Sequence, residues 1–480
     1  MHHSPAHSTL AALAIPARLV TVTLCLAVWN GLALAETPLD IPAPELPRRA
    51  DFTDPGPSFL RLPVEISLAP IVEQLERNIA TTQGTGEAFR PFRENVEVRY
   101  GLQRDPLLLK VKNSELRVTS RLFYWLHGRS AALGDGLCAS PADPVLVEGG
   151  VHGTIGWLDD WRLGIRLSAM PNNFSRRCKP EELAINFTGL LNDEINTWVT
   201  LPLLSQIDSL LAGTDRVSRV LEEAWAALQA PVQLQGPGNW LSFGVEAVHA
   251  GQLGGAAQTV TTELALITRP RFLRSEAPPS YSTTQLPDTR VRLLDDRVRV
   301  VFEAELALAT VNQRLADRIV TPPATDSQAQ IQVSSVRAFG GGDRLAVAID
   351  ADGIVEGTFF LVGKLVYDPS VLGLAVEELE YSTDTRTALA KHLTGPARAA
   401  AFEEIRRAVA DLLRFDVKDQ ITADLIRIGR ALNHQMSPHV SIRGGAMQRQ
   451  LLGTYANENV IGVRLAAVGK ATLSFDDAVE

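Results

Sequence analysis

The feature that most constrains this chain is a pattern written twice. Leu60, Leu62, Val64, Ile66 and Leu68 alternate with polar or turn residues, the period-two signature of a half-buried strand. The alternation runs straight into a helical pattern, with Ile71, Leu75 and Ile79 on one side and Glu73, Arg77 and Asn78 on the other. Much later, Val298, Val300, Phe302, Ala304, Leu306 and Leu308 alternate with Arg297, Arg299, Glu303 and Glu305, and lead into Val311, Leu315 and Ile319. At an offset of 240 residues, Leu68, Ala69, Leu75 and Ile79 fall on the identical Leu308, Ala309, Leu315 and Ile319. An internal repeat on this scale decides architecture before any single element does.

The elements that follow recur in the same order. After the first copy come strand-like stretches at 95–101, 107–126, 145–157 and 161–169. A long helical segment follows from about Leu203 to Leu228, striped by Ile207, Leu210, Leu211, Val217, Leu221, Ala224, Trp225 and Leu228. After the second copy come strand-like stretches at 329–337, 344–350, 354–367 and 374–381. Another helical segment then runs from about Ala400 to Leu432, striped by Ile405, Val409, Leu412, Leu413, Val417, Ile421, Leu425, Ile428 and Leu432. Each ends in closing strands, Thr262–Ile267 and Val463–Val468. Between the copies, 274–290 is polar with three prolines and reads as a linker. This predicts a Pro-rich leader over 36–58, a first sheet-plus-helix repeat over 59–273 and a second over 291–480. Packing each helical stripe on the apolar face of its strands satisfies both.

The N-terminus predicts export. Arg18 precedes the apolar run Leu19–Trp29, and Ala33-Leu34-Ala35 closes it, the layout of a secretory signal peptide over 1–35 cleaved after Ala35. The run is short for a bilayer span, which takes about 20 residues; an uncleaved anchor is the alternative. The expected location is the periplasm or beyond. Cleavage removes Cys25 and leaves Cys138 and Cys178 in an oxidising compartment, where they are expected to pair; two buried free thiols are the other reading.

Chemistry leaves little trace. The formal net charge is −9, which offers no electrostatic basis for nucleic-acid binding. His434 and His439 stand five apart, whereas a helical metal pair needs four and a third ligand. No nucleophile elbow occurs. Gly340–Gly342 lacks the Lys-Ser/Thr of a phosphate loop and reads as a hairpin turn. Asp159 and Asp160, between Trp157 and Trp161, read as another turn rather than a carboxylate pair. These readings predict no enzyme, no cofactor and no metal.

On length, an exported start, Leu62–Ile79 and Phe402–Phe475, the chain resembles the bacterial domain-of-unknown-function 4403 family over about residues 58–476. More distantly, its duplicated plan is similar to the tubular lipid-binding superfamily, which includes bactericidal permeability-increasing and lipid-transfer proteins. That resemblance implies an α+β fold of two tandem repeats, each a highly curved antiparallel sheet wrapped around a long amphipathic helix. It also implies an envelope protein that binds or shuttles lipid or another long apolar ligand in a groove between helix and sheet, with peripheral membrane contact. The candidate lining residues, not separable from core by sequence, are Ile207, Leu211, Leu221, Trp225, Val409, Leu413, Ile421 and Ile428. The alternative is a structural or interaction protein with a filled core and no ligand, docking on another envelope component.

Overall fold

A computed structural model of the protein describes residues 39–93, 95–213, 215–318, 331–353, 356–392 and 396–475. The expected signal peptide and its cleavage point, and Ile319, lie outside them. Strand residues outnumber helical ones about two to one. Both strand-into-helix openings form: Ser58–Ser67 leads to helix Ala69–Asn78, and Val298–Ala307 to helix Leu308–Arg318. The chain makes two compact units, each discontinuous in sequence. The larger holds Asp54–Glu303, Thr422–Leu452 and 465–475; the smaller holds 39–53, Ala304–Ile421 and Gly453–Arg464.

Two repeats, each a curved sheet around one long helix, are not what forms. The single helix expected over about 203–228 ends at Ala212, and a separate helix starts at Arg216. Its apolar stripe steps six residues from Leu211 to Val217, which fits neither three nor four and marks the break at Gly213. The helix expected over about 400–432 is also two, Pro396–Leu412 and Lys418–Ala431. Between them Arg414–Asp416 is a strand, paired with Gly373–Tyr381. Leu413, Phe415 and Val417 are buried in strand alternation. Leu413 and Val417 are also four apart, so the same residues satisfied a helical stripe. Among the described residues the longest single α-helix is 17 residues.

In the larger unit the sheet runs from Thr82–Gly84 through Val96–Arg104, Glu115–Ser130, Leu108–Lys112, Gly254–Ala257, Thr259–Thr268 and Ser58–Ser67 to Ala471–Phe475, Val440–Gly444 and Asn433–Gln435. Ser58–Ser67 pairs along its length with Thr259–Thr268, setting Leu60 opposite Leu266 and Leu62 opposite Leu264. Glu115–Ser130 alternates buried and exposed along its 16 residues, and Val145–Trp157 and Leu163–Phe174 extend the sheet beyond it. Cys138 and Cys178 form the expected disulfide, with their Cα atoms 5.2 Å apart. Residues 274–290, expected as a linker, lie against this unit and are held by three indole N–H groups. Trp240 Nε1 donates to Ser275 O at 3.0 Å, Trp225 Nε1 to Thr284 O at 2.8 Å and Trp161 Nε1 to Pro287 O at 2.7 Å.

The smaller unit holds a five-stranded antiparallel meander, Ile331–Gly341, Arg344–Gly353, Gly357–Asp368, Gly373–Tyr381 and Arg414–Asp416. The hairpin read at Gly340–Gly342 is there, turning through Gly342 at φ +63°. Its core gathers Ile41, Ala348, Phe359, Phe360, Leu389 and Phe402. Ile41 belongs to the Pro-rich leader. Residues 39–53 of the leader lie against this unit, and Leu39 N donates to Glu356 O at 2.8 Å. Gly341 and Gly342 let it pass: a Cβ on either would stand 2.6 Å from Leu46 Cβ or Pro47 Cβ.

Candidate functional site

The most regular feature of the larger unit was not singled out in the sequence. Phe187, Leu191, Ile195, Val199, Leu203, Ile207 and Leu211 recur every four residues, and none is more than 1% exposed. Phe187 is the N-cap and the other six belong to one continuous helical run, Thr188–Ile195, Asn196–Thr200 and Leu201–Ala212. Asn186 Oδ1 accepts the Thr188 N–H at its start. An α-helix turns about 100° per residue, so a four-residue stripe drifts roughly 40° per step. The middle segment, Asn196–Thr200, is a π turn, closed by Leu201 N donating to Asn196 O five residues back. Its wider turn takes up one extra residue and brings the stripe back toward the sheet.

The run lies along Leu163–Phe174, which among the described residues pairs only with Val145–Trp157. Asp208 Oδ1 accepts the Ile165 N–H at 3.3 Å, and Arg162 Nη1 donates to Ala212 O at 3.2 Å. At the other end Asn172 Nδ2 donates to Asn192 Oδ1 at 3.0 Å and to Asn196 Oδ1 at 3.1 Å. Side chains thus cover an edge that would otherwise stand open. Asn172 sits where the strand register shifts between Glu148 and Gly150. A Cβ on Gly149 would come within 2.2 Å of Asn172 Oδ1, so the carboxamide takes the place of a side chain there.

Polar atoms are left over around this turn. Asn172 Oδ1, Trp198 Nε1 and Thr200 Oγ1 are buried and have no hydrogen-bond partner among the described residues. Each such group typically costs about 1–3 kcal/mol, so π turns and orphaned polar groups are places where function is sought. On the outer face of the same helix is a shallow depression of about 520 Å³, lined by Thr197, Leu201, Pro202, Leu204, Ser205 and Gln206. Leu201 is 55% exposed. A second cleft, about 490 Å³, lies between the strand ends at Arg93, Val96, Glu97, Arg129 and Asp135. Its charges are largely engaged: Arg129 pairs with Glu97 at 2.7 Å and Asp135 lies 3.2 Å from His127.

The eight residues proposed from sequence to line a groove are all core. Ile207, Leu211 and Leu221 are fully buried and Trp225 is 4% exposed, all in the larger unit. Val409, Leu413 and Ile421 are in the smaller unit and Ile428 in the larger, each 2% exposed or less. A side chain facing a cavity wide enough for an acyl chain keeps free surface on that side; these keep essentially none. His434 is exposed and His439 stacks on Phe475, with ring centroids 5.8 Å apart. Among the described residues no three His, Cys, Asp or Glu side chains come together as a metal site. No helix there is long and apolar enough to cross a membrane. Asp159 and Asp160 form the expected turn, with Asp160 paired to Arg162.

The chain belongs to the family described as domain of unknown function (DUF4403), whose model matches residues 56–475. No curated protein matches the sequence. Among solved structures, lipopolysaccharide binding protein is similar at 9% identity and a TM-score of 0.25, covering 88% of this chain and 100% of its own. P47 of Clostridium botulinum E1 is similar at 8% identity and a TM-score of 0.17, over 85% of this chain and 99% of its own. Scores this low assign neither a fold nor a ligand to this chain.

Proposed function

We propose that this is an exported, non-enzymatic envelope protein that binds lipid or another long apolar ligand on the outer face of the Thr188–Ala212 helical run. The observation that carries the reading is the depression at Thr197–Gln206, where Leu201, Pro202 and Leu204 offer apolar surface beside a π turn. Burial of an alkyl chain there would yield about 25 cal/mol per Å². The Leu19–Trp29 run with its Ala-Leu-Ala close supports export, and so does the Cys138–Cys178 bridge, since disulfides persist in oxidising compartments. The test is titration with a fluorescent fatty acid, together with native mass spectrometry of protein purified from the envelope. Saturable binding that Leu201→Asp abolishes is expected. No binding, and no co-purifying lipid, would remove the reading.

A second reading is a structural or interaction protein with a filled core. The full burial of Ile207, Leu211, Leu221, Leu413, Ile421 and Ile428 favours it. It predicts no lipid in either experiment and capture of an envelope partner by the full chain.

A further inference from the structure

One strand edge of the larger unit is hydrogen-bonded in place while its side chains have no ion-pair partner among the described residues. Arg290–Arg292 lies beside the end of strand Val245–Ala250: Ala250 N donates to Arg290 O at 2.8 Å, and Arg292 N to Ala250 O at 2.9 Å. Just before it, Trp161 N donates to Thr289 Oγ1 and Trp161 Nε1 to Pro287 O. Just after it, Leu294 Cδ1 lies 3.4 Å from where a Cβ on Gly251 would stand. The backbone is therefore held through Arg292, yet Val291 is 55% and Leu293 95% exposed.

Arg290 and Arg292 are exposed too, with no ion-pair partner among the described residues. Some other arginines of this unit have one: Arg61 meets Glu263 at 2.8 Å and Arg269 meets Glu246 at 2.8 Å. The acids that follow are already engaged, Asp295 by Arg299 and Asp296 by Lys470. Burial, and after it the positive charge of Arg292 and Arg290, holds the His249 imidazole below its ordinary range.

We infer that Arg290, Val291, Arg292 and Leu293 dock the protein on an anionic lipid surface, guanidiniums on headgroup phosphates and aliphatic side chains in the headgroup–acyl boundary. Charge complementarity selects this occupant. The chain carries a formal net charge of −9, so an anionic membrane repels it as a whole. A local pair of uncompensated cations beside an exposed leucine both attracts and orients it. An acidic peptide adding to the edge would use the cations and the backbone but leave Leu293 uncovered. A fixed segment also loses little entropy on docking. The inference stands whether or not the helix-face depression takes a ligand.

The experiment is co-sedimentation of the purified protein with phosphatidylglycerol–phosphatidylcholine vesicles and with phosphatidylcholine alone, at low and high salt. Salt-sensitive binding to the anionic vesicles only is expected. Arg290→Gln and Arg292→Gln should each weaken it about five-fold, and Leu293→Ser about ten-fold, with unchanged thermal melting and fatty-acid titration. Equal binding to both vesicles, no binding to either, or undiminished binding by the arginine double variant would overturn it. So would polyglutamate competing at low concentration, which would assign the edge to acidic peptides.

Discussion

Asp424 Oδ1 lies 2.9 Å from Arg427 Nη1, three residues along the same helix, and the Asp424 side chain is fully buried. Its other oxygen accepts from Arg274, whose guanidinium also donates to Glu303 O at 2.9 Å. Burial pushes the carboxyl above its ordinary range, and this outweighs the two guanidiniums that pull it down. A carboxyl raised on folding binds its proton more tightly in the native state. Its contribution is full below the unfolded value near ~3.9 and is lost as pH rises through the folded value. The stability of the native chain relative to Asp424→Asn should therefore fall as pH rises from about 4. Urea titrations of both proteins across pH 4–7 check this; a difference that rises with pH would mean that the ion pairs dominate. Asp424→Ala, which leaves two part-exposed cations behind, should cost about 2 kcal/mol.

Gly149 and Asn172 compete for one volume. Gly149→Ala places a methyl where Asn172 Oδ1 sits and should displace its bonds to Asn192 and Asn196. The expected loss is about 2 kcal/mol. If the clash is the cause, Asn172→Ala should relieve it, and the double variant should be more stable than the two losses added. Thermal melting of the three variants decides.

The Cys138–Cys178 bridge spans a sequence separation of 40 and ties strand Gly134–Ala139 to the segment before the helical run. Cys178 O accepts the N–H of Phe187, the first residue of the buried stripe. Replacing both cysteines with serine should cost about 4 kcal/mol in the chain-entropy model. Melting with and without reductant should show the same loss for the native chain and no effect of reductant on the double variant.

Trp225→Phe keeps the ring in the core and removes the N–H that holds Thr284 O. Gln229 Nε2 still reaches that carbonyl at 3.1 Å, so the global loss should be only about 1 kcal/mol. The local effect should be larger. Limited proteolysis between 276 and 288 is expected to accelerate in the variant while cleavage elsewhere is unchanged.

Leu201 and Leu211 share a helix and should respond in opposite ways. Leu211→Ala opens a cavity in a filled core and should cost about 3 kcal/mol. Leu201→Ala, at a half-exposed position, should change stability by less than about 0.5 kcal/mol while weakening fatty-acid binding. Paired melting and titration measure both.

The sequence by itself determined the family, the cysteine pair, both strand-into-helix openings and the turns at Gly342 and Asp159-Asp160, because each rests on local pattern or local chemistry. It also held a signal that was missed, since the four-residue spacing from Phe187 to Leu211 marks the helical run more sharply than the stripe drawn over 203–228. Periodicity could not separate helix from strand at Leu413 and Val417, which are four apart and so obey both. Only tertiary structure decided that point, through the pairing of Arg414–Asp416 with Gly373–Tyr381. It also decided the fate of the eight candidate lining residues. An apolar stripe states which face leaves water, but whether that face meets a void or other side chains depends on residues far away in sequence. Here it meets side chains.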